Sequence, residues 1–226
     1  MPKKYFEFKN INNDAADLYL YGEITSFKWQ DTDVSAMDFK NELDSIGNRA
    51  LNIYINSPGG SVMEGMAICS MLKRHKGETN AYVDGMAASI ASVIALSCDN
   101  VYIPKNAYLM IHNAWAGGIA GNSEELRAIA DTLDKISEGI VEVYKSKSKV
   151  EEKIIKELMD KESWLTGNDV TDYFNINVIE EKKIAASIKD FGMLEKYKNS
   201  PKFIQVEEPK NTINNELEAI KIKLNL

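Results

Sequence analysis

Histidine and cysteine are scarce in this chain: 226 residues hold two of each, with three tryptophans and five prolines. Cys69 and Cys98 each sit inside an apolar run and show no CxxC spacing, so a cysteine zinc site is excluded and reduced, buried thiols are expected. An excess of positive charge is missing too. The net charge is -7 and the pI near 5.1, which argues against a nucleic-acid partner, because phosphate contacts need clustered Lys and Arg. No apolar run reaches the ~20 residues of a membrane span. The most lipid-like stretch, residues 86–98, is short and rich in Ala and Ser, and reads as a core helix. The opening MPKKYFEFKN carries charge without an apolar core, so no signal peptide, no membrane partner and a cytoplasmic location are expected.

Hydrophobic residues at 44% and charged residues at 27% are ordinary for a globular protein, and the length suits one sizeable core with a small appendage. Residues 1–17 are polar and carry no clear pattern. Residues 18–24 alternate as a strand does, and 34–46 have helical spacing. A unit then repeats. Residues 51–56 (LNIYIN) form a β-rich run ending in Ser57-Pro58-Gly59-Gly60, with a helical pattern to residue 73. Residues 80–84 (NAYVD) form a second run ending in Gly85, with a helix through residue 95. Successive strand–glycine-turn–helix units imply parallel strands with crossover helices, hence an α/β fold.

Short β-like runs follow at 101–103 and 108–112. Gly117, Gly118 and Gly121 mark an extended link, and a long helix starts at Asn122 or Ser123, with Glu124 and Glu125 in its first turn. Its apolar positions, including Leu126, Ile129, Leu133, Ile136 and Ile140, share one face. That face covers either the subunit's own core or a second copy of the chain. A helix is expected over 150–159. Thr166 and Asp169 resemble a capping pair for a short helix to residue 173, and 176–179 reads as a last strand. Beyond about residue 187 the composition shifts to Lys, Glu and Asn, which favours a solvated tail, with a short amphipathic helix over 213–224 as the other reading.

Chemistry has few candidates. His75 lies among Lys73, Arg74 and Lys76 at a helix end and reads as solvated surface. His112 closes the apolar run Leu109-Met110-Ile111, as either a satisfied core histidine or a general base. Ser89 falls at the strand-to-helix turn Gly85-Met86-Ala87-Ala88-Ser89, where open α/β sheets place their ligands and a helix start offers unpaired N–H groups. Small neighbours alone would also explain Ala and Ser there, as tight helix packing. The Pro58-Gly59-Gly60 turn repeats that geometry one unit earlier, either as an ordinary turn or as a second N–H donor for a bound oxygen.

The pieces YINSPGG (Tyr54 to Gly60), GMAAS (Gly85 to Ser89) and MIH (Met110 to His112), in that order and spacing, resemble the proteolytic subunit of the Clp protease across roughly residues 18–187. The resemblance implies the ClpP/crotonase-like spiral of repeated β-β-α units with a protruding long helix. It divides the chain into an N-terminal segment 1–17, a peptidase domain 18–187 and a polar tail 188–226. It makes Ser89 the nucleophile and His112 the base, puts the oxyanion on the N–H groups of Gly60 and Ile90, and assigns substrate backbone to Gly59, Ala116, Gly117 and Gly118. Aligning Trp164-Leu165-Thr166 with the family's aromatic-Leu-Ser segment puts the triad acid on Glu162, with Asp160 as the alternative.

The resemblance further implies protein or peptide substrates, no metal or organic cofactor, and a homo-oligomer, heptameric or tetradecameric, joined through the helix from Asn122. Residues 1–17 do not match the family's pore-loop segment, which makes dependence on an ATPase partner weak or absent. Glu in place of Asp before Trp164, together with the C-terminal extension, is closer to the ClpP-related head maturation proteases of tailed phages and prophages. Two rival functions share the fold: an acyl-CoA enzyme of the crotonase type, and an inactive shell or scaffold component.

Overall fold

The computed structural model describes residues 8–9, 14–26, 34–180, 194 and 196–201. Its centre is a mostly parallel sheet. β1 (Phe8–Lys9) runs antiparallel to β2 (Ala15–Tyr21). Then β2, β3 (Ala50–Ser57), β4 (Thr79–Ala88), β5 (Asn100–Pro104) and β8 (Asn177–Ile179) lie side by side, all parallel. Helices α1 (Ala36–Ile46), α2 (Val62–Arg74) and α3 (Ile90–Ser97) form the crossovers, which is the mixed α/β architecture expected. β2 starts at Ala15, earlier than residue 18, and β4 runs on to Ala88, past the expected end at residue 84.

Alternation explains how the sheet is seated. Leu18 and Leu20 of β2, Leu51, Ile53 and Ile55 of β3, and Ala81 and Val83 of β4 all point to the buried face. The opposite face carries two cross-strand ladders. Tyr19, Tyr54, Tyr82 and Tyr102 stack in register with ring centroids 4.9, 5.1 and 4.8 Å apart. Two residues earlier on each strand, Asn80 donates to Asn52, Asn52 to Asp17, and Asn100 to Asn80. A slip of one residue would break both ladders and expose the apolar face, so the register is strongly specified.

Caps define the helices. Ser35 and Asp38 form a capping box on α1, and Asn122 and Glu125 form one on α4 (Ser123–Lys145). α4 is buried only in its last turns, at Ile140, Val141, Val143 and Tyr144, while Leu126 is 45% exposed. The first half of the helix therefore does not cover the subunit's own core. α5 (Glu152–Asp160) and α6 (Val170–Tyr173) follow. The Asp169 carboxylate accepts from Thr166 Oγ1 and Thr166 N–H, so the expected pair exists but makes no side-chain cap on α6.

Two surface readings are corrected. His75 is half-buried, with Nε2 2.7 Å from the Arg49 carbonyl, because the chain from residue 47 to 50 lies beside the end of α2. Leu194 and Tyr197 of the expected solvated tail are buried, since they fill an apolar cleft beside Met86, Ala88 and Met110. The possible helix over 213–224 lies outside the described residues. Both cysteines are buried; burial pushes the Cys69 thiol up to about 11 and the Cys98 thiol higher still. No described helix is long and apolar enough to cross a membrane.

Candidate active site

β4 positions the site because it changes neighbours along its length. Asn80–Tyr82 pair with β5, whereas Met86–Ala88 pair with β6 (Tyr108–Ile111). Ser89 sits where β4 ends and α3 begins, and its N–H donates to the Met110 carbonyl at 2.9 Å. It bends the chain there with φ 57° and ψ -129°. Such a conformation costs a β-carbon residue about 1–3 kcal/mol and lifts the hydroxyl out of the sheet at a sharp elbow. Among the described residues only one other non-glycine residue has positive φ, and that is Glu162 at 47°.

The Pro58-Gly59-Gly60 turn lies directly against this elbow. Asn56 Oδ1 accepts from the Met86 N–H, and Ser57 Oγ donates to the Gly22 carbonyl while accepting from the Gly59 N–H. A β-carbon on Gly59 would lie 2.6 Å from the Ala88 carbonyl oxygen and 2.7 Å from Ser89 Cβ, and one on Gly60 would lie 2.1 Å from the Ile24 oxygen. Only glycine permits this approach, and both have positive φ, at 87° and 146°. The Gly60 N–H donates to no described residue, and Ile90 is the first residue of α3, where amides have no partner within the helix. The same Gly59 β-carbon would be 3.2 Å from the Ile90 nitrogen, so the two turns share one corner.

His112 follows β6, and β6 pairs antiparallel with β7 (Ser163–Thr166) through Ile111 and Ser163. Continuing that register sets His112 opposite Glu162. The Ser89 Oγ to His112 Nε2 distance is 2.7 Å. Burial pushes the imidazole below its ordinary value of 6.5, the Glu162 carboxylate raises it, and Lys196 lowers it. A neutral ring beside a serine hydroxyl can take its proton.

Glu162 is near His112, yet among the described residues no hydrogen bond joins them; Glu162 Oε1 accepts instead from the Asn199 N–H at 2.7 Å. Asp160 is exposed, and its Oδ1 accepts from Asn113 Nδ2 at 2.8 Å. Ala116, Gly117 and Gly118 lie in an exposed, irregular segment between His112 and α4.

Comparison with known proteins meets this geometry at residues 16–183, which match the family model described as Clp protease. The chain belongs to the Clp protease family. It is a serine-type peptidase by class. The chain is 27% identical over 164 residues to the ATP-dependent Clp protease proteolytic subunit of Borrelia garinii subsp. bavariensis, covering 72% of this chain and 82% of that protein. It is 31% and 32% identical over 122 residues to the ATP-dependent Clp protease proteolytic subunit 1 of Chlamydia abortus and Chlamydia pneumoniae, covering 53% of this chain and 64% of each relative.

Tyr197 is a neighbour of the Ser89–His112 pair that the sequence did not announce. The Tyr197 ring stands edge-on to His112 at 5.4 Å between centroids and 89° between planes, and its hydroxyl donates to the Pro58 carbonyl at 2.5 Å. Burial raises the Tyr197 phenol and the nearby Ser89 hydroxyl lowers it. One of three scattered aromatics (Phe191, Tyr197 and Phe203) in a Lys- and Asn-rich tail, it belongs to no pattern that would have marked it.

Proposed function

We propose that the chain hydrolyses peptide bonds through an acyl-enzyme on Ser89, with His112 as the base and Glu162 as the group that orients and charges it. The carrying observation is the 2.7 Å contact between Ser89 Oγ and His112 Nε2 at a strained strand-to-helix elbow. His112 takes the Oγ proton as Oγ attacks the scissile carbonyl carbon. The tetrahedral oxyanion rests on the Gly60 and Ile90 N–H groups; such donors are worth about 3–4 kcal/mol each to acyl transfer. Collapse breaks the C–N bond, and the leaving amine takes the proton from His112. Water then loses a proton to His112 and attacks the ester carbonyl carbon; the C–O bond to Ser89 breaks as His112 returns the proton to Oγ, which frees the serine and the acid product. Gly59 and the segment Ala116 to Gly118 hold the substrate backbone.

Two finer readings belong with this. The exposed first half of α4, with Leu126, supports a ring of subunits, heptameric or tetradecameric, that encloses the sites; light scattering reads its mass. Glu162 ahead of Trp164 and the extension beyond residue 187 favour processing of phage head or scaffold proteins, with weak or no need of an ATPase partner. An acyl-CoA enzyme is disfavoured by the serine–histidine contact. The test is incubation of an unfolded protein with the full chain and with Ser89→Ala. New peptide termini from the first alone support the peptidase, and equal products from both overturn it.

A further inference from the structure

Resting on the peptidase reading, we propose that Leu194 and residues 196–201 form an internal latch that closes the cleft over Ser89 and holds the Glu162 carboxylate on Asn199. The enzyme is then self-inhibited until the segment withdraws.

The contacts are specific along the segment. Leu194 and Tyr197 fill the cleft made by Met86, Ala88, Met110 and Trp164. Tyr197 ties its hydroxyl to the Pro58 carbonyl, immediately before the two glycines beside Ser89. Lys196 pairs with Glu23 at 3.4 Å, which anchors the segment next to Ile24, the residue bridged to Gly60. Asn199 grips the triad-acid region twice, by its N–H on Glu162 Oε1 and by Nδ2 on the Lys161 carbonyl, each at 2.7 Å.

Three features show that this arrangement blocks rather than completes the site. Ser89 is only 8% exposed, and Tyr197 brings its ring edge-on to His112 and its phenol within reach of the Ser89 hydroxyl, where an incoming substrate would have to pass. Second, a triad acid must accept from its histidine to hold the ring tautomer, and here Glu162 turns Oε1 to the Asn199 N–H while no hydrogen bond joins it to His112 among the described residues. Third, the cleft is filled without being satisfied. Trp164 Nε1 is buried with no hydrogen-bond partner among the described residues, although Tyr197 packs against its ring. An occupant that leaves a buried donor unpaired is readily exchanged for one that pairs it, such as a peptide carbonyl.

The experiment follows the rate at which a fluorophosphonate labels the full chain, read by intact mass. Tyr197→Ala removes the ring beside His112 and the hydroxyl on Pro58, while Asn199→Pro, at an exposed position, deletes the N–H held by Glu162. Each should label about tenfold faster or more than the natural chain, since rate scales with the fraction of open molecules. Circular dichroism checks the fold, and the same variants carrying Ser89→Ala should not label. Unchanged or slower labelling in folded Tyr197→Ala and Asn199→Pro, with Ser89 still reacting, overturns the latch and leaves the peptidase standing. Absence of labelling in every folded variant overturns the peptidase reading and the latch with it.

Discussion

Gly59 and Ser89 touch so closely that a methyl group on the first would stand 2.7 Å from Cβ of the second. The Ser89 elbow is thus braced by a turn 30 residues earlier, and space at Gly59 is a condition of its geometry. Gly59→Ala should push Ser89 off its line to His112. Misplacement of about 1 Å costs roughly 10²-fold in turnover, and the left-handed φ adds strain. Gly139 of α4, where nothing lies within 4 Å of an added methyl, is the control. Gly139→Ala should gain about 0.5–1 kcal/mol in a denaturant titration. Equal peptidase rates for natural chain and Gly59→Ala would contradict the brace.

His112 and Glu162 make the pH dependence specific. His112 must be neutral to accept the Ser89 proton, and burial sets its pKa below 6.5. Activity should therefore rise with pH along a limb centred below 6.5 and be flat above it. Glu162 raises that pKa, so Glu162→Gln should move the limb to lower pH while the plateau falls, by up to about 10⁴-fold as for other triad acids. Asp160→Asn loses only the contact to Asn113 and should match the natural chain. A lowered plateau in Asp160→Asn with Glu162→Gln unaffected would transfer the role.

Ser89 and His112 were legible only through the joint order and spacing of YINSPGG, GMAAS and MIH, since each turn or histidine taken alone reads equally well as packing or an ordinary bend. The strands and crossover helices were legible by alternation and caps, as at Ser35 and Asn122. Glu162 was harder to place. Its placement depends on β7 pairing with β6, a contact between residues about 50 apart, and on a positive φ at Glu162 that no residue type announces. Tyr197 was illegible for a plainer reason: its burial comes from a cleft assembled by Met86, Met110 and Trp164, from three separate segments.

Behind Ser89, Ser92 Oγ donates to the Ser89 carbonyl at 2.6 Å and lies 2.7 Å from Tyr144 Oη, with both side chains buried. Since the Ser92 proton goes to Ser89, the phenol must donate to Ser92. Tyr144→Phe removes one donor and leaves Ser92 bonded, at a cost of about 0.5–1.5 kcal/mol. Ser92→Ala strands the buried phenol, while the Ser89 carbonyl keeps the Ser92 backbone N–H, and should cost more, about 1–3 kcal/mol. Urea unfolding midpoints give the order, and a reversed order would mean that the hydroxyl of Tyr144 is satisfied elsewhere.

The most direct measurement of the central claim is the site of covalent capture. The full chain and Ser89→Ala are treated with a fluorophosphonate, digested, and mapped by tandem mass spectrometry, with Ser57, Ser61 and Ser92 as internal controls. A single adduct on Ser89, absent from Ser89→Ala, is the predicted result. An adduct on another serine, or undiminished labelling of Ser89→Ala, would contradict it.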